Sequence, residues 1–297
     1  MSAVAKPTDA ALETLRLETG AVSERAGRER NEDVAVAVPL GPLGPEHEAF
    51  LLAVADGLGG HPAGEVASRI AVDTLREALA TPPEGDVSLA LRQAYRKAND
   101  AVFQAATSEP THLGMGTTLT SAVLRGKYAT IANVGDSRAY LLRGGALTQV
   151  SRDHTEAARS GRPGARGGAL THAVGTNPKL DSKLPDIFEL MLLPGDRLLL
   201  CSDGLYAVLD DAALHQTLSG GEPASAARDL VDLAQQRGTT DNASAVVAAA
   251  IPTRVPVVVV PATASRTGGI PGTAIFAAVA VLLVLLLLLA VFILGFA

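Results

Sequence analysis

The sequence predicts a mixed α+β domain with largely antiparallel sheets, and three observations carry that expectation. Short apolar and β-branched runs come in groups joined by tight Gly-containing turns, as hairpins do. Two consecutive stretches with the helical i, i+3, i+4, i+7 period interrupt those groups together, instead of alternating with every strand, which disfavours a parallel barrel. With 47% apolar residues in a chain of 297, there is ample material for a core.

The elements follow in order. Residues 1–20 carry Lys6, Asp9, Glu13, Arg16 and Glu18 with no apolar run between them, so they are expected to be a loose leader and not a secretory signal. "DVAVAV" (33–38) and "FLLAVA" (50–55) read as strands. Ala67, Ile70, Ala71, Thr74, Leu75, Ala78 and Leu79 mark one face of a first helix, and Val87, Leu91, Ala94, Tyr95, Ala98, Val102 and Ala105 one face of a second. Strands return in "GTTLTSAVLR", "YATIANV" and "RAYLLRGGALTQV", followed by a Gly- and Arg-rich surface loop at 160–170. "IFELMLL" and "RLLLCS" read as strands, 211–218 and 223–237 as helices, and "SAVVAAA" as the closing strand of a domain expected over 21–251. Prolines and glycines then break both helix and central strand, so 252–274 is expected to be a linker, in which "VPVVVVP" could add only an edge strand. Residues 275–297 contain no charge over 23 positions, enough for one transmembrane helix. Arg254 and Arg266 ahead of it favour a cytoplasmic location for the domain.

Composition excludes several functions. With 25 Lys and Arg against 31 Asp and Glu, a net charge of −6 offers no footprint for nucleic acid. Cys201 is the single cysteine, which rules out an internal disulfide and a CxxC zinc site.

One pattern recurs at the ends of the apolar runs. "LAVADG" delivers Asp56, "IANVGDS" Asp136, "LLLCSDG" Asp203, and "GTTDNASAVV" places Asp241 just before the last strand, while Asp33 opens the first. If these acids converge, two like charges 4 Å apart cost roughly 4 kcal/mol at an effective dielectric of 20, so protons or cations must share the site. Oxygen ligands without Cys or His pairs suit Mg²⁺ or Mn²⁺ better than zinc. Gly57 lets the backbone turn tightly enough for its own carbonyl to approach a metal.

The motifs "RERNED", "VADGLGGHPAGEVAS", "GMGTTLT", "NVGDSRAY", "CSDGLY" and "TTDNAS" appear in an order that resembles the bacterial branch of the type 2C, metal-dependent Ser/Thr protein phosphatases, over about residues 20–251. The resemblance implies an antiparallel β-sandwich flanked by helix pairs, in four layers α-β-β-α, with a two-metal centre at one end. It implies that Asp56 bridges both metals, that Gly57 offers its carbonyl, that Asp203 and Asp241 complete one metal, and that Asp33, with Glu32 beside it, holds the other side. Asp136 would serve a third, looser metal, and Arg28 would grip the phosphoryl group with a fork that lysine lacks. Two such ions would prime a bridging water for in-line attack on phosphoserine or phosphothreonine without a covalent intermediate. His61 is the candidate general acid or water-positioner, its alternative role being to fix the Gly-rich loop. His154, His172, Thr117, Thr118 and Ser137 are expected to be structural.

There are departures from the family pattern. Ala207 stands where another acid is usual, which bears on the third metal; the flap after His154 is short; His172 replaces a frequent arginine; and Gly27 is shifted relative to Arg28. Two rival motifs fail on their context. Glu65 follows the GxxxxG of 59–64 where a phosphate loop needs lysine, and "GDSRA" opens a hairpin where a serine elbow must open a helix. The expected partners are phosphorylated proteins and their Ser/Thr kinases at the membrane. The alternative from another class is a membrane-tethered pseudophosphatase that binds phosphoproteins without turnover.

Overall fold

The structure, a computed structural model, describes residues 13–44, 47–58, 63–81, 85–160 and 168–254. In chain order these form β1 (Glu13–Glu24), β2 (Asp33–Gly44), β3 (His47–Leu58), α1 (Ala63–Ala78), α2 (Val87–Ser108), β4 (Gly116–Thr117), β5 (Leu119–Arg125), β6 (Tyr128–Val134), β7 (Arg138–Arg143), β8 (Ala146–Gln149), α3 (Glu156–Arg159), β9 (Asp186–Met191), β10 (Arg197–Cys201), α4 (Asp203–Tyr206), α5 (Asp211–Leu218), α6 (Pro223–Gln236) and β11 (Ala243–Arg254).

The strands make two antiparallel sheets, one in the order β1-β11-β10-β7-β8 and one in the order β2-β3-β5-β6-β9, with β4 on the end of β3. Side chains alternate across a strand, and the central strands bury both faces. In β3, Leu52 and Val54 point into the space between the sheets, where they meet Leu198, Leu200, Val246 and Ala248. Leu51, Ala53 and Ala55 point the other way, onto Ala67, Ala71 and Leu75 of α1 and Leu91, Ala94, Tyr95 and Ala98 of α2. On the opposite sheet, Leu199, Cys201 and Val247 pack against Leu214, Leu218, Leu230 and Val231 of α5 and α6. The mixed α+β class and the four-layer order α-β-β-α therefore hold. Strands buried on two faces read as unbroken apolar runs, which is why "FLLAVA" and "RLLLCS" were visible and why their faces were not. Tyr95 pins α2 to its sheet: its buried hydroxyl reaches the Ala132 carbonyl at 2.8 Å and the Leu119 carbonyl at 3.1 Å.

Two boundaries differ from expectation. The leader expected over 1–20 is corrected from Glu13 onward, because β1 pairs with β11 without interruption from Glu13↔Arg254 to Glu24↔Ala243. Leu15, Leu17 and Ala21 turn into the sandwich, and the charges between them hid a period of two in an edge strand. The closing strand likewise runs past 251 to Arg254. The membrane helix expected at 275–297 and most of the linker at 252–274 lie outside the described residues; among the described residues no helix is long and apolar enough to cross a membrane.

Antiparallel register gives the sandwich two poles. At one lie the start of β2, the end of β3, the β6–β7 connection, the end of β10 and the start of β11; at the other lie the β5–β6 and β7–β8 turns, the β9–β10 connection and the end of β11.

The fit of β1 is close enough to test. A Cβ on Gly20 would stand 2.3 Å from the Cα of Ala224 in α6. Gly20→Ala is expected to lower unfolding free energy by about 1–3 kcal/mol through overpacking. Chemical denaturation checks this, and an unchanged midpoint would mean that residues 13–20 do not belong to the folded unit.

Candidate metal and phosphate site

All five aspartates of the strand-end pattern sit at the first pole. Asp33 opens β2 and is paired in register with Asp56 near the end of β3. Asp203 begins α4 directly after β10, Asp241 immediately precedes β11, and Asp136 lies in the connection from β6 to β7. Strand ends place them there, and a second tier of polar groups fixes them.

Asp33 is buried, and its Oδ2 accepts from the hydroxyls of Ser202 (2.6 Å) and Ser244 (2.7 Å). Asp56 is held through its backbone: its N–H donates to Thr118 Oγ1 at 2.9 Å, and its carbonyl accepts from Thr117 Oγ1 at 2.9 Å and from the Thr118 N–H at 2.9 Å. Thr118 Oγ1 lies 2.7 Å from Ser137 Oγ, which ties the Asp56 strand end to the Asp136 loop. Asn242 clasps the "RERNED" loop, accepting from the Glu32 N–H (2.8 Å) and donating to the carbonyls of Arg25 (3.0 Å) and Arg30 (2.8 Å). Tyr206 donates to the Asp136 carbonyl at 3.0 Å, and its ring stacks 3.7 Å from the Arg138 guanidinium, which Asp153 grips at 2.6 Å. Ser202, Ser244, Asn242, Tyr206, Arg138 and Asp153 are site residues that sequence reasoning missed, although all but Asp153 lie inside a quoted motif. Ser244 left one local trace, a lone hydroxyl in the apolar run "NASAVVAAA", which does not identify its partner. Ser137 braces its loop as expected, and Thr117 and Thr118, expected only as structural strand residues, brace Asp56 as well.

The glycines set how closely the loops pass. A Cβ at Gly57 would fall 2.1 Å from the Gly64 carbonyl oxygen, and one at Gly204 would fall 2.0 Å from the Asn242 carbonyl oxygen. Neither position tolerates a side chain without backbone movement.

Electrostatics follow from burial. Asp33 is pushed up to about 7, mainly by burial, against the pull of its two serine hydrogen bonds. Burial raises Asp56 well above the usual carboxylate range, and Asp33, Asp203, Asp241 and Asp136 add to it by repulsion. Asp136 is raised to about 6 by burial and then by Asp203, and Asp203 is raised by burial and then by Asp241. At Asp203 the upward shift is countered in part by the Asp56 carboxyl. Arg28 extends its Nη2 to Asp241 Oδ2 at 2.6 Å, with both side chains partly exposed.

The donor set fits hard divalent cations. Asp33 Oδ1 and Asp203 Oδ1 are buried with no hydrogen-bond partner, which leaves two charged oxygens that a cation would satisfy. The donors are oxygens throughout, the preference of Mg²⁺ and Mn²⁺. Among the described residues no three His, Cys, Asp or Glu side chains already stand close enough together to hold a metal ion.

Other expected positions are placed as follows. His61 lies outside the described residues. His154 accepts the Gly135 N–H on Nδ1 at 3.2 Å, and the His172 ring stands edge-on to it at 5.4 Å, both beside the Asp136 loop. Ala207 follows α4, and only its N–H takes part, donating to the Asp203 carbonyl at 2.8 Å.

A family model described as protein phosphatase 2C matches residues 43–244. The chain belongs to the protein phosphatase 2C family. Among curated 2C relatives it is 36% identical over 242 residues to the serine/threonine protein phosphatase PstP of Mycobacterium tuberculosis, an alignment that takes in 79% of this chain but 45% of PstP. The chain thus spans about half the length of that relative. It is 34% identical over 207 residues to the serine/threonine phosphatase stp of Listeria monocytogenes, covering 65% of this chain and 81% of stp. Among solved 2C structures, the PstP catalytic domain in complex with two manganese ions superposes with a TM-score of 0.70 at 34% identity, covering 80% of this chain and 99% of that one.

The buried acids make stability depend on pH in a definite direction. Asp33 has a folded value near 7 against an ordinary value of 3.8, so between these the folded state binds more protons and stability falls as pH rises. Asp33→Asn mimics the protonated form. Without metal, the variant is expected to melt above the wild type at pH 8, with the gap closing toward pH 5. Melting in EDTA across that range checks it; a constant gap would remove Asp33 as the titrating group.

Proposed function

We propose that this chain is a metal-dependent protein Ser/Thr phosphatase that hydrolyses phosphoserine and phosphothreonine. The observation that carries the reading is the convergence of Asp33, Asp56, Asp203 and Asp241 at one pole, with two orphaned buried carboxylate oxygens beside the Arg28 guanidinium. The manganese named with the PstP catalytic domain supports Mn²⁺ or Mg²⁺ as the cofactor.

Asp33, Asp56, Asp203 and Asp241, with the Gly57 carbonyl, would hold the ions, and Asp136 would hold a weaker third. When bound, such a pair of ions supplies an activated water for in-line displacement at phosphorus. The chain's own residues do the rest. Arg28 is permanently charged and forked, so it binds two phosphoryl oxygens and offsets the charge that grows on them. Asp241 keeps that fork oriented at the mouth of the site. Ser202, Ser244 and Asn242 keep the acids and the Arg28 loop from relaxing away from one another. His61 is the proposed proton donor to the leaving alkoxide.

The apolar segment at 275–297 supports a single-pass C-terminal anchor with the phosphatase domain in the cytoplasm, where it would oppose Ser/Thr kinases and act on their substrates near the membrane. A tethered phosphoprotein binder without turnover is the competing reading, motivated by Ala207 in place of an acid.

Phosphate release from p-nitrophenyl phosphate and from a phosphothreonine peptide should require Mn²⁺ or Mg²⁺. Asp56→Asn and Asp203→Asn should abolish it, and Arg28→Ala should lower kcat/KM roughly 100-fold, the loss of two charge-assisted hydrogen bonds. Steady-state assays with and without chelator check this. Equal rates in wild type and both aspartate variants would end the enzyme reading and favour the binder.

A further inference from the structure

The pole opposite the acids carries a surface that catalysis does not use. Among the described residues five large hydrophobic side chains are exposed, and four of them gather at or beside this pole: Tyr128, Met191, Leu193 and, in the first turn of α2, Leu89. Tyr128 and Met191 are register partners across β6 and β9, the outermost pair of their sheet. They line a groove of about 470 Å³ together with Val87, Arg125 and Leu190. Leu193 follows in the β9–β10 connection, tied to the same corner by the Leu192 N–H, which donates to the Lys127 carbonyl at 2.7 Å.

Cations border these side chains. The Lys127 ammonium lies 5.6 Å from the Tyr128 ring, Arg125 lines the groove, and Arg143 donates to the Met191 carbonyl at 2.7 Å. Of the nearby acids, Asp196 is paired with Arg143, Glu189 accepts from Ser88 at 2.6 Å, and Asp86, which also lines the groove, accepts from the Leu89 N–H at 3.0 Å. Exposed Tyr, Leu and Met among Lys and Arg is the composition of a surface that sits in the headgroup region of a bilayer, where apolar bodies are buried and cations meet anionic lipid.

The path of the chain supplies the second, independent argument. β11 starts at the acid pole with Ala243 and runs to Arg254 at the other; on the way its Ala250 exchanges hydrogen bonds with the β9–β10 connection, to the Asp196 carbonyl at 2.9 Å and from the Gly195 N–H at 2.8 Å. The polypeptide therefore continues toward residue 297 from the corner that bears Leu193 and Met191, and not from the catalytic face.

We propose that this pole, with Lys127, Tyr128, Met191 and Leu193 at its centre, is a membrane-resting surface for an anionic bilayer. Resting there turns the acid pole and Arg28 away from the lipid, toward phosphoproteins approaching from the aqueous side. The inference rests on the C-terminal anchor of the proposed function.

The test uses the full chain in vesicles of phosphatidylcholine with phosphatidylglycerol. Cys201 is the single cysteine and is buried, so a nitroxide placed through Leu193→Cys or Met191→Cys reports one position. Leu113→Cys, exposed at the acid end, serves as the control. Flotation with the vesicles tests the anchor, and the ratio of oxygen to nickel-chelate collision rates at each label tests the surface. Several-fold higher ratios at 193 and 191 than at 113, reduced by Lys127→Glu, are the expected result. Equal, water-like ratios at all three labels in protein that floats would overturn the resting surface and leave the anchor standing. Protein that does not float would overturn the anchor and the surface with it.

Discussion

The burial of several neighbouring carboxylates is the constraint that the rest of this structure answers. Asp33, Asp56 and Asp203 share one small volume, and each is driven toward its neutral form first by burial and then, in part, by its acidic neighbours. A flexible scaffold would relax by letting them separate. Here they are carried by ends of strands whose two faces are packed between a second sheet and a helix pair, and close packing resists such drift. The serine, threonine and asparagine hydrogen bonds behind them act on backbone and on single oxygens, leaving Asp33 Oδ1 and Asp203 Oδ1 unsatisfied. An arrangement that withholds partners from two buried charged oxygens is poor for folding and good for capturing a cation.

Arg28 sits where these demands meet. Its pairing with Asp241 is half-exposed, so it contributes on the order of 0–1 kcal/mol and is a weak tether. Weakness suits the proposed role, in which the same guanidinium turns to phosphoryl oxygens. By contrast, Arg138 is buried, forked onto Asp153 and stacked on Tyr206, and cannot be recruited in the same way. Two arginines within the same pole thus differ in role because they differ in burial.

The motif acids were legible because each sits at one end of an apolar run, and a strand end is a place from which a side chain can be aimed. The first helix pair was legible from its period; the cap that Asp86 gives α2, through the Leu89 N–H at 3.0 Å, was not read from the sequence. β1 was not legible. As an edge strand it needs only alternate apolar residues, and Leu15, Leu17 and Ala21 are too sparse beside Arg16, Glu18 and Thr19 to stand out from a polar leader. Nor were Ser202, Ser244 and Asn242, whose work depends on long-range pairing: Asn242 reaches back to residues 25–32, more than two hundred positions away. No local pattern encodes a partner at that separation.

Strand β11 joins the two ends of the molecule in one element. Its first residues follow Asp241 and carry Ser244, which holds Asp33; its last residues pair with the start of β1 and lie beside the β9–β10 connection. A twelve-residue strand at about 3.3 Å per residue spans roughly 40 Å, the depth of the sandwich. Because the strand is locked by pairing on both sides, with β1 and with β10, its direction is fixed by the fold and not by the segment that follows it. The described strand therefore ends at the pole opposite the acids. A closing strand of the opposite direction would have delivered the chain into the mouth of the site. Antiparallel pairing alone therefore sets the last residue of the closing strand and the cluster of acids at opposite poles.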